Sequence, residues 1–60
     1  MNRQLKDYRV ILQLLQQPSG QERRIVRVDA PSVAEARRAA LKIAADEGLR
    51  VKQILAAGLA

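Results

Sequence analysis

Between Lys6 and Leu15 the chain alternates: Tyr8, Val10, Leu12 and Leu14 stand at even positions, and Arg9, Ile11 and Gln13 lie between them. A period of two over that length predicts a strand, about residues 6–15, with one face in a core and the other bare. Pro18-Ser19-Gly20 follows, with a fixed φ at proline and a glycine tolerant of positive φ, so a hairpin loop is expected there. A second strand, about 23–30, is expected from the β-branched run Arg23-Arg24-Ile25-Val26-Arg27-Val28-Asp29-Ala30, with Val26 and Val28 turned inward.

The period then changes. Pro31-Ser32-Val33-Ala34-Glu35 has the spacing of a capping box, in which Ser32 caps the Glu35 amide and the Glu35 side chain reaches back to the Ser32 amide. Good helix formers run on to Glu47, and Gly48 stands where a left-handed cap belongs, so the expected helix covers about 32–47. Its apolar stripe is Val33, Ala36, Ala40, Ile43 and Ala44, flanked by Leu41, and the small residues would let it lie close on a sheet. Alternation returns at Leu49-Arg50-Val51-Lys52-Gln53-Ile54-Leu55. A third strand at about 49–56 would turn Leu49, Val51 and Leu55 inward and Arg50, Lys52 and Ile54 outward. Residues 57–60 carry no charge and no pattern, and are expected to fray or to cover a partner's apolar surface.

Strand, strand, helix, strand in one short chain predicts a single α+β domain of ββαβ type. The third strand should run parallel to the second and beside the first, in order 2-1-3, with one helix packed on one face. The arrangement resembles small ββαβ modules shared by some ribosomal proteins and many small bacterial and phage proteins. That likeness rests on capping and packing residues that any such fold needs, so it carries over no functional residue.

Composition narrows the chemistry. Sixty residues hold one small and marginal core. With neither cysteine nor histidine available, disulfides and zinc cannot reinforce it within the chain, and self-association is the remaining device. The only hydroxyls are Ser19, Ser32 and Tyr8, so no usual nucleophile and base pair can be assembled, and no catalytic residue is expected. No Asp-rich loop offers calcium its oxygen ligands, and Gly20, Gly48 and Gly58 form no phosphate loop, so no metal, cofactor or small-molecule substrate is expected. The first residues lack the apolar run of a signal peptide, no segment is long enough to span a membrane, and the cytoplasm is the default location.

Eleven Lys and Arg against six Asp and Glu leave +5, a field that attracts nucleic acid or an acidic protein. By alternation, the sheet face away from the helix should carry Arg9, Arg27, Arg50 and Lys52, extended by Arg23 and Arg24, around a centre of Ile11, Ile25 and Ile54. Two functions fit such a face. The cations could contact a nucleic-acid backbone, with an affinity that falls steeply as salt rises. Base stacking is not expected, because Tyr8, the one aromatic, alternates toward the core. Alternatively, the isoleucines could form the centre of a homodimer or adaptor interface.

Overall fold

A computed structural model describes residues 4–15 and 22–60 and contains β1 (Lys6–Leu14), β2 (Glu22–Ala30), α1 (Val33–Asp46) and β3 (Val51–Leu59). The expected hairpin loop at Pro18-Ser19-Gly20 lies outside the described residues. The three strands form one antiparallel sheet in the order β2-β1-β3, with the helix on one side: a small α+β domain. The first strand in the chain is therefore the central strand of the sheet.

The alternation in β1 is what builds the core. Tyr8, Val10, Leu12 and Leu14 are all buried, and they meet Val28 and Ala30 of β2 and Ala36, Ala40 and Ala44 of α1. Those three alanines recur every four residues along one helix stripe, and small side chains let a helix backbone lie close on a sheet. Ile43, placed in the stripe by its spacing, lies at the stripe's margin and is exposed, as is Leu41 on the flank.

Both helix ends follow from local chemistry. The Glu35 amide donates to Ser32 Oγ at 3.3 Å, supplying one of the partners that a first helical turn lacks. At the other end the Gly48 amide donates to the Ala45 carbonyl and the Leu49 amide to that of Ala44, the paired bonds of a Schellman motif. Gly48 holds a φ of +77°, and a Cβ built there would touch nothing within 4 Å. Gly48→Ala should therefore destabilise through backbone conformation alone, by about 1 kcal/mol in urea unfolding; an unchanged midpoint would contradict that reading.

β3 departs from simple alternation. Ile54 pairs with Leu12 and Ala56 with Ile11, leaving Leu55 as an extra residue; Gln53 pairs with Gln13 and Val51 with Leu14, leaving Lys52 as another. Each bulge shifts the inward-facing set by one position, so Val51, Ile54 and Ala57 pack on the core. Two expectations are corrected by this: Ile54 faces inward and Leu55, at 40 % exposure, does not. The strand also begins later and ends later than its expected 49–56. Far from fraying, residues 57–59 are paired with β1, and the Ala60 amide donates to the Asp7 carbonyl at 2.9 Å.

Candidate functional site: the open sheet face

Among the described residues no helix covers the second face of the sheet. Directly paired residues of an antiparallel sheet share a face, so the register arranges this surface in rows. Asp7 stands opposite Asp29; Arg9 lies between Arg27 and Gly58; Ile11 lies between Ile25 and Ala56; and Gln13 lies between Arg23 and Gln53. The middle row is aliphatic. Ile25 is 56 % exposed, Ile11 is half-buried between its neighbours, and exposed Leu55 adjoins Ala56 at the bulge.

Polar rows border it on both sides. On one side Gln53 Nε2 donates to Gln13 Oε1 at 2.7 Å, with Arg23 next to them. On the other, the Arg27 guanidinium donates to Asp7 Oδ2, a diagonal ion pair between the two strands. That hydrogen bond, reinforced by the Asp7 charge and by Asp29, raises the Arg27 pKa above its ordinary value. The pair also relieves the repulsion between Asp7 and Asp29, two like charges placed opposite each other.

Of the nine candidate residues expected on this face or near its edge, the structure brings together Arg9, Arg23, Arg27, Ile11 and Ile25. None of the other four is paired in these rows. Arg24 pairs with Leu12, so it points to the helix side, where its guanidinium meets Glu47 Oε1 at 3.0 Å. Ile54 joins the core for the reason given above. Arg50 precedes β3 and uses its carbonyl to accept from the Leu15 amide at 2.8 Å. Lys52 is the extra residue of a bulge, and Gln53 occupies the position across from Gln13.

Asp7, Asp29, Gln53 and Ala56 also belong to the face. Asp7 and Asp29 were legible, since they lie two residues from Arg9 and Arg27 in the same alternation. With three arginines and two aspartates, the face carries both charge signs. Among the described residues no cavity opens and no group of His, Cys, Asp or Glu is arranged to hold a metal ion. Among the described residues no helix is long and apolar enough to cross a membrane. Comparison with protein-family models, with curated proteins and with solved structures finds no match to this chain.

Proposed function

We propose that this protein is a small non-catalytic binding module that docks a protein partner on its open sheet face. The observation that carries this reading is the central row, Ile25-Ile11-Ala56 with Leu55 beside it, bordered by polar rows of both charge signs. An aliphatic centre inside a polar rim is the anatomy of a protein interface, in which the centre excludes water and the rim sets orientation. The Arg27–Asp7 pair fits that role too, because a salt-bridged arginine presents a fixed, largely neutralised surface and no free cation.

The test is a photo-crosslinking residue placed at Ile25 and, separately, at Arg38 on the outer side of the helix. In an extract of the native cells, one protein adduct is expected from position 25 and none from position 38. Excess unlabelled wild type should compete it away, whereas Ile11→Asp should not. An adduct common to both positions, or one indifferent to Ile11→Asp, overturns the reading.

A second reading, contact with nucleic-acid backbone, is favoured by one observation: Arg9 and Arg27 stand side by side across the strands of a chain carrying +5. It would rest on Arg9, Arg23 and Arg27. A nuclease-sensitive adduct from position 25, lost as salt rises, would select it over the protein partner.

A further inference from the structure

The sheet has two outer edges, and they differ in how they are guarded. β2 carries Arg23, Arg24 and Arg27 along its length, the kind of charges that keep an edge from recruiting another strand. β3 carries one charge, Lys52, and none from Gln53 to Leu59. It is also the strand with the thinnest cover. β1 has four buried residues, whereas Val51, Ile54, Ala57 and Gly58 of β3 are only half-buried and Leu59 is 65 % exposed.

The two bulges decide where this edge is regular. They interrupt the ladder on either side of Ile54 and leave Ala56–Leu59 in unbroken register with β1. Because the Ala60 amide points at Asp7, the alternation of an antiparallel ladder aims the backbone groups of Gly58 at β1 as well. Those of Ala57 and Leu59 then point outward.

We infer that the β3 edge pairs antiparallel with β3 of a second copy, about a two-fold axis at Gly58, to make one continuous six-stranded sheet. In that register Ala57 of each copy lies opposite Leu59 of the other, and each pair exchanges both of its N–H to O=C bonds. The faces agree as well. Leu59 pairs with buried Tyr8 and Ala57 with buried Val10, so both lie on the helix side of the sheet. The exposed Leu59 of one copy would therefore cover the half-buried Ala57 of the other. Gly58 meets Gly58 on the axis, at the narrow non-bonded position where strands approach most closely, and a Cβ built on Gly58 would meet nothing within 4 Å. A second copy is the occupant because the segment is self-complementary in pattern and opposes no like charges.

The inference does not depend on what the open face binds. Light scattering of the wild type should give twice the chain mass of 6.7 kDa. Leu59→Pro removes an outward amide and an exposed side chain, so it should return the mass to that of one chain with an unchanged circular dichroism spectrum. Leu59→Lys keeps the amide and should weaken the dimer at least about tenfold; if the proline variant loses its fold, this variant decides alone. Ile25→Asp, on the open face, should leave the dimer intact. A wild type that stays monomeric, or a dimer split by Ile25→Asp and not by the Leu59 variants, overturns the inference.

Discussion

Leu12→Ala should remove most of the protein's stability. Leu12 is completely buried in the central strand, between Arg24 and Ile54 in the sheet and within the cluster that holds the helix alanines. Truncating such a leucine costs about 2–5 kcal/mol, from lost transfer free energy and from the cavity left behind. A domain of this length has in total about 3–9 kcal/mol, and it has no disulfide to hold the unfolded chain together. In urea unfolding followed by circular dichroism, the midpoint should fall close to zero denaturant. A loss under about 1 kcal/mol would mean that the layer around Leu12 collapses freely, which a packed sheet-and-helix core does not do.

The opposite change should also be harmful at the helix. Ala40→Leu inserts three carbons in the buried stripe of α1, between Ala36 and Ala44 and in the cluster with fully buried Val10 and Leu12. Overpacking of this kind costs about 1–3 kcal/mol, because the helix must lift or its neighbours must leave their rotamers. Ala45→Leu is the matched control: the same substitution, one helix but an exposed position, with an expected change within about 0.5 kcal/mol. Equal midpoints for the two variants would show that the small-residue stripe does not set the helix-to-sheet distance.

Most of the architecture could be read from spacing, and the reasons are local. Tyr8 to Leu14 alternates cleanly because β1 has one buried face and no irregularity; Ser32 and Gly48 bound the helix because each satisfies backbone groups next to it in sequence. On β1 and β2, where a single register joins the two strands, alternation places Arg9, Ile11, Arg23, Ile25 and Arg27 on the face where they lie. It went astray on β3, where two bulges convert a period of two into a spacing of three among Val51, Ile54 and Ala57. That spacing was itself a signal, since no unbroken strand would turn all three to one side. Arg24, expected near the edge of the face, lies on the helix side for a different reason. Its parity with Val26 and Val28 already set it on the helix side, but its charge argued for the surface, and at the sheet margin both are satisfied by the ion pair with Glu47.

The position of β1 in the middle of the sheet also bears on how the chain can fold. Its pairing with β2 is the local closure of a hairpin, which forms early and cheaply. The pairing with β3 runs from Leu14 with Val51 to Tyr8 with Leu59, so even its nearest pair closes a loop on the order of forty residues, whose entropic cost must be met before any β3 contact gives a return. Until then the hairpin has one unmatched margin on β1 and an uncovered row of Val10, Leu12 and Leu14. The helix lies in the chain between the hairpin and β3, so its docking shortens the remaining search, and the three alanines thereby govern the pace of folding as well as its end point.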